Sequence, residues 1–341
     1  MQILVTGAAG FIGFHLCKTL LEQGHSIIGL DNINDYYDVN LKYARLNELG
    51  ISKNNAKPFL KLTKSHSFGE NFHFIRMNLE DKIELAKLFK NQNFDIVCNL
   101  AAQAGVRYSI ENPDVYVSSN VIGFFNILEC CRHNKIKHLL YASSSSVYGE
   151  NKEVPFTPQD KVDHPISLYA ATKKSNELMA YTYSHLYNIP TTGIRLFTVY
   201  GPWGRPDMAI YMFAKAISER NFIKVFNNGN MSRDFTYIDD IISGIELFMH
   251  NPPQKKDAKP AYRISNIGNG SPQSLMNFIK SIEKSLGIDA IKEYLPMQDG
   301  DVSQTWADLS ELEDLGYKST TKIEEGVQKF VDWFKSYHKI E

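Results

Sequence analysis

The feature that most constrains this chain is the glycine-rich stretch of residues 4–13, which reads LVTGAAGFIG. An apolar run leads into Gly7, Gly10 and Gly13, and a helical pattern of apolar residues follows at once. This order predicts a strand, a tight turn and the N-terminus of a helix. Glycines let a ligand approach the backbone closely, and the positive end of a helix favours a pyrophosphate. The structural alternative is a glycine-rich turn of any α/β protein.

The second predicted strand, residues 26–30, leads into Asp31, 18 residues after Gly13. An acidic residue at about this distance accepts hydrogen bonds from the adenosine ribose in dinucleotide-binding folds. The same carboxylate would repel a 2′-phosphate, so the sequence favours NAD over NADP. The glycine spacing GxxGxxG differs from the commoner GxGxxG, and Asp31 could simply cap the strand.

Strands and helices alternate through the first 200 residues, which predicts an α/β fold with a Rossmann-type doubly wound parallel sheet. After Tyr200 the pattern changes to helices mixed with short strands, typical of a smaller C-terminal α/β substrate lobe. We therefore predict a dinucleotide-binding domain at residues 1–200, to which residues 234–250 return, and a lobe at 201–341. The patterns predict the longer helices at 11–23, 80–90, 112–133, 167–187, 208–220, 238–250, 272–285 and 322–337.

Composition excludes several classes of partner. The net charge is −1, so we expect no general attraction to nucleic acid or to an anionic membrane. No apolar run approaches 18 residues and no basic residue precedes Lys18, so neither a spanning helix nor a signal peptide is predicted. The cysteines suggest neither a metal site nor a disulfide framework, so we expect reduced thiols and a cytoplasmic location. They are Cys17, Cys98, Cys130 and Cys131.

Three residues are candidates for catalysis. Tyr169 and Lys173 are four residues apart on a predicted helix, so they share one face of it. A nearby ammonium group favours the phenolate of a tyrosine, which would suit Tyr169 to general base work. Ser144 ends a predicted buried strand at residues 138–144, where its hydroxyl can bind a substrate hydroxyl and relay its proton. An ordinary amphipathic helix and a turn serine are the structural alternatives.

In combination, these motifs resemble the extended short-chain dehydrogenase/reductase family over essentially the whole chain. The shared motifs are GAAGFIG, Asp31, SSSSVYG at residues 143–149 and YAATK at 169–173. The chain is most similar to nucleotide-sugar 4-epimerases, and among them to UDP-glucuronate 4-epimerases. That closer match lies in NDYYD (34–38), AAQAGVRYS (101–109) and TVYGPWGRPDMA (198–209).

The resemblance implies a mechanism in which NAD is tightly bound and is not consumed. Tyr169 removes the 4-hydroxyl proton with help from Ser144, while the C4 hydride passes to NAD and later returns to the opposite face of a 4-keto sugar. Lys173 also binds the nicotinamide ribose. The implied cofactor residues are Gly7, Gly10, Phe11, Ile12, Gly13, Asp31, Asn32, Asn78, Leu79, Leu100, Ala101, Ala102, Ser119, Tyr169, Lys173 and Phe197.

The resemblance also implies residues that bind the UDP-sugar. Arg233 would bind the diphosphate with its planar fork, Asp301 would accept from the uridine ribose, and Phe226 would pack against uracil. Arg205, in the third matched string, is expected to bind substrate as well. The residues Arg233, Asp301 and Phe226 could instead form a structural ion pair or fill a core.

One departure from related enzymes bears on the substrate. Dehydratases and decarboxylases of this family carry acidic residues where this chain has Ser145 and Ser146, and elimination needs such a general acid or base. The hydroxyls of Ser145, Ser146 and Thr198 could instead hold a C6 carboxylate, with Arg107 as a cationic partner. A C6 hydroxyl would also fit a polar wall, so 4-epimerases of UDP-glucose or UDP-N-acetylglucosamine remain the first alternative.

A non-catalytic NAD-binding sensor and a cofactor-consuming reductase are the two alternative functions. A non-catalytic NAD-binding sensor is disfavoured because such proteins typically lose the tyrosine–lysine pair or the serine. A reductase that releases NADH or NADPH is the other. The resemblance further implies a homodimer formed through helices at about 114–133 and 167–187. Apolar residues of the first helix suit that interface or a sheet-covering face equally well, namely Val117, Val121, Phe124, Phe125 and Leu128.

Overall fold

A computed structural model describes residues 1–298 and 301–340 of the chain. The chain divides into two compact units. Unit 1 contains residues 1–149, 161–195 and 245–265, and unit 2 contains residues 150–160, 196–244 and the described residues from 266 onward. These units are defined by packing alone, so the functional division expected at residue 200 stays a prediction.

The first part of the chain alternates strands and helices. Its strands are β1 (Gln2–Thr6), β2 (Ser26–Asp31), β3 (Thr63–Ser65), β4 (Gly69–Arg76), β5 (Ile96–Asn99), β6 (His138–Ala142) and β7 (Thr191–Leu196). Its helices are α1 (Phe11–Glu22), α2 (Val39–Glu48), α3 (Lys53–Ala56), α4 (Lys82–Asn91), α5 (Tyr108–Glu111), α6 (Asp114–Tyr116), α7 (Gly123–His133) and α8 (Leu168–Tyr187). A π-helix spans Val117–Ile122 and a 3-10 helix spans Ser145–Tyr148.

Within the described residues, shorter strands and five further helices, of which α12 is a single turn, make up most of the rest. The strands are β8 (Thr198–Tyr200), β9 (Phe222–Val225), β10 (Ser232–Arg233), β11 (Phe235–Tyr237), β12 (Tyr262–Ile267), β13 (Gln273–Ser274) and β14 (Ile291–Tyr294). The helices are α9 (Ala209–Ser218), α10 (Ile238–His250), α11 (Leu275–Leu286), α12 (Ser310–Glu313) and α13 (Ile323–His338), with a 3-10 turn at Phe226–Gly229. Among the helices of residues 1–298 and 301–340, none is long and apolar enough to cross a bilayer.

One large, mostly parallel sheet organises unit 1. Within the described residues its strand order is β12-β7-β6-β5-β1-β2-β4-β3, and β12 starts in unit 1. Strand β1 pairs in parallel with β2 on one side and with β5 on the other, so the order reverses beside β1. Ligands of doubly wound sheets bind at the carboxyl ends of the strands at such a reversal. The predicted Rossmann-type sheet is confirmed.

The buried faces of the sheet and its helices explain why these segments fold as they do. Strands β1, β5 and β6 are apolar and almost fully buried, as parallel strands covered on both faces must be. Leu85 and Phe89 of α4 and Phe124 and Leu128 of α7 pack with sheet residues in one core cluster. This core fixes where the strands end, and therefore where the polar loops meet.

The helix expected from residue 112 to 133 is not a continuous α-helix. Helix α6 gives way to the π-helix before α7 begins, so the turn widens around Asn120. The Asn120 side chain is buried and bonds both backbone groups of Gln103, accepting from its N–H at 2.8 Å and donating to its carbonyl at 3.0 Å. The chain is helical from Asp114 to His133, so the long helix is present, and the π-helical turn within it is a feature that the sequence did not predict.

Unit 2 is held together by three small sheets and a buried carboxylate. Strand β8 pairs with β11 and β9 with β14 in parallel, while β10 and β13 are antiparallel. Asp234 is fully buried and accepts from the backbone N–H groups of Asn269, Gly270 and Ala307 and from the Thr236 hydroxyl. Burial raises the pKa of Asp234, and these donors oppose the shift.

Candidate active site

The glycine-rich turn after β1 is closely packed. Gly7 has a φ of +75°, and a Cβ there would lie 3.0 Å from the Ala101 backbone nitrogen. A Cβ on Gly13 would lie 2.1 Å from the Gly7 carbonyl oxygen, so α1 can approach the turn only without a side chain. Gly10 donates to Gly7 at 2.8 Å and precedes α1 without offering a capping side chain. The first amides of α1 are therefore available to an anion.

Asp31 lies at the carboxyl end of β2, next to this turn. Its side chain accepts from the backbone N–H groups of Ala9 at 3.1 Å and Ile33 at 2.8 Å. These bonds fix the carboxylate, which still has lone pairs for further donors such as ribose hydroxyls. Asn32 follows directly, and its carbonyl accepts from Arg76 at 2.9 Å. Asp31 therefore ends β2 as expected, and its role toward a ribose stays a prediction.

The other predicted cofactor residues of unit 1 follow neighbouring strands of the sheet or lie in helices beside it. Ala101 donates to the Thr6 hydroxyl at 3.1 Å, which joins the loop after β5 to the end of β1. Ser119, in the π-helix, donates to Glu80 at 2.7 Å. The predicted Phe197 is buried in unit 2. The remaining residues lie at the start of α1 and after β4 and β5, namely Phe11, Ile12, Asn78, Leu79, Leu100 and Ala102.

Helix α8 carries the predicted tyrosine and lysine. Tyr169 is half-buried in the first turn, with its ring edge-to-face with that of Tyr116 at a centroid distance of 6.1 Å. The Lys173 ammonium is buried, lies 6.0 Å from the Tyr169 ring centre and donates to the Ala142 carbonyl at 2.8 Å. Burial lowers the pKa of Lys173 to about 8. A cation is therefore held beside the ring at neutral pH.

The predicted serine lies two residues beyond the carbonyl that Lys173 binds. Ser144 is buried and begins the 3-10 helix, where its hydroxyl accepts from the Ser146 backbone N–H at 3.1 Å. It donates to the Ser146 hydroxyl at 3.1 Å. The bond from Lys173 to Ala142 thus joins the helix of Tyr169 to the strand end that carries Ser144. All three candidate catalytic residues belong to unit 1.

In unit 2, two residues predicted as separate ligands of the nucleotide bond to each other. The Arg233 guanidinium donates to Asp301 at 2.7 Å and to the carbonyls of Ser232 at 3.0 Å and Ser303 at 3.2 Å. Burial lowers the pKa of Arg233, and the Asp301 charge opposes the shift. Arg205 forms an ion pair with Asp207.

The other predicted substrate residues are distributed over both units. Ser145 and Ser146 are half-buried in the 3-10 helix and Arg107 is exposed, all in unit 1. In unit 2, Thr198 begins β8 and donates its backbone N–H to Asp234 at 3.2 Å, and Phe226 is half-buried. Their roles toward a sugar stay predictions.

Comparison with known proteins identifies the family. Residues 3–268 match the NAD dependent epimerase/dehydratase family. The chain belongs to this family. It is 53% identical to protein CapI of Staphylococcus aureus, which it matches over 99% of its own length and 100% of that protein. It is 43% identical to a probable UDP-glucuronate 4-epimerase of Rhizobium meliloti, over 99% and 98% of the two chains.

A solved member of the epimerase family has the same fold. The UDP-glucuronic acid 4-epimerase of Bacillus cereus, in complex with UDP-glucuronic acid and NAD, is 34% identical to this chain with a TM-score of 0.85. The match covers 99% of this chain and 100% of that structure. The predictions of the family, of an NAD-dependent epimerase and of the Rossmann-type fold are therefore confirmed.

The residues of this epimerase fit NAD. Gly7 and Gly13 leave a cradle that a Cβ would fill, and the uncapped start of α1 suits a pyrophosphate. Asp31 is fixed at the second strand end, where it can accept from ribose hydroxyls. The Lys173 ammonium is buried on α8 in the same unit.

The sequence did not predict the polar network in which Asn120 connects Gln103, in the loop after β5, to α8. Asn120 donates to the Thr172 hydroxyl at 3.1 Å, and that hydroxyl donates to the Tyr169 carbonyl at 2.8 Å. Asn176 donates to the Asn120 carbonyl at 2.7 Å. The regular period of an α-helix does not predict which way Asn120 faces, because the π-helix changes which residues face α8.

Lys173 makes the stability of this protein depend on pH. Its pKa of about 8 in the folded chain lies below the value near 10.4 of an unfolded lysine. Between these values only the unfolded chain binds the proton, so the free energy of unfolding rises with pH. We expect the free energy of unfolding of wild type, minus that of Lys173→Met, to increase by up to about 3 kcal/mol from pH 8 to pH 10.4.

Urea unfolding of NAD-free protein at several pH values measures this difference. Lys18→Met is the control, because the Lys18 side chain is exposed on α1 and stays in water when the chain unfolds. If the free energies of unfolding of wild type and Lys173→Met differ by the same amount at every pH, the buried ammonium is not desolvated.

Proposed function

We propose that this enzyme interconverts UDP-glucuronate and UDP-galacturonate as a 4-epimerase. The observation that carries the proposal is the buried Lys173 ammonium, which lies beside Tyr169 and bonds the strand end leading to Ser144. Similarity to epimerases named for UDP-glucuronate supports the choice of sugar. All three residues expected of a catalytic member are present, which argues against a non-catalytic NAD-binding sensor.

The side chains of unit 1 divide the proton chemistry between them. Lys173 favours the phenolate of Tyr169, which takes the proton from the sugar 4-hydroxyl and later returns it. Ser144 hydrogen-bonds the same hydroxyl and orients it. NAD, when bound, supplies a hydride acceptor that is regenerated within each turnover, so the enzyme retains it. Asp31 and the α1 amides hold the cofactor rather than react.

We further propose that Arg233 and Asp301 bind the nucleotide. A diphosphate is a stronger partner for the guanidinium than a single carboxylate is, so the bond between Arg233 and Asp301 would open as UDP binds. Asp301 would then accept from the uridine ribose. Phe226 is half-buried and would pack against the uracil ring, while Arg205 would exchange part of its contact with Asp207 for substrate.

The absence of a carboxylate before Val147 supports an epimerase rather than a dehydratase. Ser145 and Ser146 occupy those positions and offer neutral hydroxyl groups, which can bind a C6 carboxylate without promoting elimination. Thr198 and Arg107 would add a hydroxyl and a cation. A neutral UDP-sugar with a C6 hydroxyl remains the alternative, because hydroxyl groups bind both.

The cysteines support a cytoplasmic location for the enzyme. All four are buried and free, as is usual where thiols stay reduced. Burial raises the pKa of Cys98 and Cys130 to about 12, so these thiols are unreactive at neutral pH.

A homodimer is proposed through α8 and the segment from α6 to α7. The sequence did not distinguish apolar residues that cover the sheet from those at an interface. In the structure, Phe124 and Leu128 pack in the core of the sheet and are therefore not available to an interface. The exposed apolar residues of these helices are Val117, Ile122, Phe125, Leu178, Tyr181 and Leu186, between 38% and 60% exposed. Two helices from each copy would bury them in a four-helix bundle.

Incubation of the purified enzyme with UDP-glucuronate and no added cofactor should produce UDP-galacturonate. Proton NMR would show its anomeric signal and no pentose product. Tyr169→Phe should lose roughly 10²–10⁴-fold in kcat because the general base is gone. Its NAD content, measured after denaturation, should equal that of wild type. Tyr181→Phe, an exposed tyrosine on the same helix, is the control. Full activity of Tyr169→Phe, or a UDP-xylose product, would contradict the assignment.

Thr198→Val and Arg107→Gln test the carboxylate contact. Hydrogen bonds to charged groups contribute about 1.5–3 kcal/mol, so kcat/KM for UDP-glucuronate should fall roughly tenfold or more. The fall for UDP-glucose should be much smaller. Arg220→Gln, an exposed arginine after α9, should change neither value. Equal losses for both sugars would remove Thr198 and Arg107 from carboxylate binding.

Leu178→Glu combined with Tyr181→Glu should convert the dimer to folded monomers, because charges would replace the exposed apolar face. Sedimentation equilibrium should then give the chain mass of 38.9 kDa instead of twice that value. Ile83→Glu is the control, since Ile83 is 69% exposed on α4, outside the proposed interface. A monomeric wild type, or a dimeric double variant, would refute this interface.

A further inference from the structure

A buried charged cluster lies directly behind the predicted catalytic serine. The Ser143 hydroxyl donates to Glu177 at 2.7 Å. The Arg195 guanidinium donates to both oxygens of the same carboxylate, each at 2.9 Å. Ser143, Glu177 and Arg195 are 3%, 4% and 2% exposed. Nothing in the proposed proton chemistry uses this cluster.

The cluster joins three elements of unit 1. Glu177 lies on α8, one helical turn beyond Lys173, and Arg195 lies on β7. Ser143 follows β6 and immediately precedes Ser144. Lys173 bonds the Ala142 carbonyl, so two consecutive residues of the strand end are held from two successive turns of α8.

The geometry of the cluster is specific. Two parallel N–H donors of Arg195 fix the plane of the Glu177 carboxylate, and the guanidinium lies 4.8 Å from the Tyr148 ring centre. Burial alone would lower the pKa of Arg195, but the hydrogen bonds and charge of Glu177 raise it above its usual range. Apolar residues of similar size often stabilise a fold as well as a buried ion pair does. The feature specific to the ion pair between Arg195 and Glu177 is that it orients the carboxylate toward Ser143.

We propose that Glu177, held by Arg195, is a positioning residue that fixes Ser143 and thereby orients Ser144 relative to Tyr169. This inference rests on the proposed 4-epimerase function. Ser143 is also fixed through its backbone N–H, which donates to the Ile194 carbonyl at 2.7 Å. The hydroxyl bond adds a second constraint, so both the backbone N–H and the side chain of the residue before Ser144 are fixed. Small displacements of a reacting group slow catalysis strongly.

Ser143→Ala tests the proposal without unpairing a buried charge, because Glu177 and Arg195 keep each other. Ser184→Ala is the matched control. Ser184 is fully buried on the same helix, and its hydroxyl has no hydrogen-bond partner within the described residues. We expect kcat of Ser143→Ala to fall about tenfold, with KM and NAD content within twofold of wild type. Ser143→Thr, which keeps the hydroxyl, should recover most of the rate.

Amide hydrogen exchange of the NAD-bound protein provides a readout that does not need turnover. Exchange at residues 143–148 should be faster in Ser143→Ala than in wild type or Ser184→Ala, and exchange in β6 should be unchanged. Wild-type kcat in Ser143→Ala, or exchange there equal to that of the control, overturns the proposal. If wild type converts only a neutral UDP-sugar, the choice of substrate fails, and kcat on that sugar tests the positioning role unchanged.

Glu177→Gln is a second variant with a different expectation. It leaves the buried Arg195 guanidinium facing a neutral amide, so a loss of folding is a possible outcome of that change alone. If it folds, its amide oxygen can still accept from Ser143 while the bond from Arg195 to the second oxygen is lost, so its kcat should fall by less than that of Ser143→Ala, with NAD retained. A folded Glu177→Gln with a lower kcat than Ser143→Ala would contradict a role that acts through the Ser143 hydroxyl.

Discussion

The arrangement of the candidate catalytic residues depends on one hydrogen bond, from the buried Lys173 ammonium to the Ala142 carbonyl. That bond holds α8 against the end of β6, and it satisfies a charge that burial would otherwise make very unfavourable. The ammonium also lies 6.0 Å from the Tyr169 ring centre, so in the proposed mechanism the group that fixes the helix also favours the phenolate. In that mechanism, replacing the charge to gain stability would remove this effect.

The sequence predicts the large sheet well because its signals are local. Parallel strands buried on both faces appear as short apolar runs, and a helix such as α10 has the bounds expected from its period, residues 238–250. The turn at Gly7 and the distance to Asp31 are equally local. The π-helix around Asn120 could not be predicted, because the extra residue in that turn is stabilised by contacts with Gln103, 17 residues earlier.

The site was predictable only where a motif carries its own spacing. Tyr169 and Lys173 are one turn apart, and Ser144 ends a buried strand, so sequence alone singled them out. Glu177 has the appearance of an ordinary polar helix residue, and its partners Ser143 and Arg195 lie 34 and 18 residues away. Arg233 and Asp301 were expected as separate ligands, yet they are 68 residues apart and bonded. Such pairs form because the fold brings distant segments of the chain together, and the spacing of residues in a motif does not predict this.

These contacts explain why so many polar bonds converge on α8. Holding the Lys173 charge in the interior destabilises the folded chain at neutral pH, so other interactions must secure the helix that carries it. Asn120 does so through Thr172, and Glu177 does so through Ser143. Each bond also limits how the reacting groups can move. In the proposed mechanism, stability and orientation are thus supplied by the same contacts, and a substitution behind the site would slow catalysis without touching the substrate.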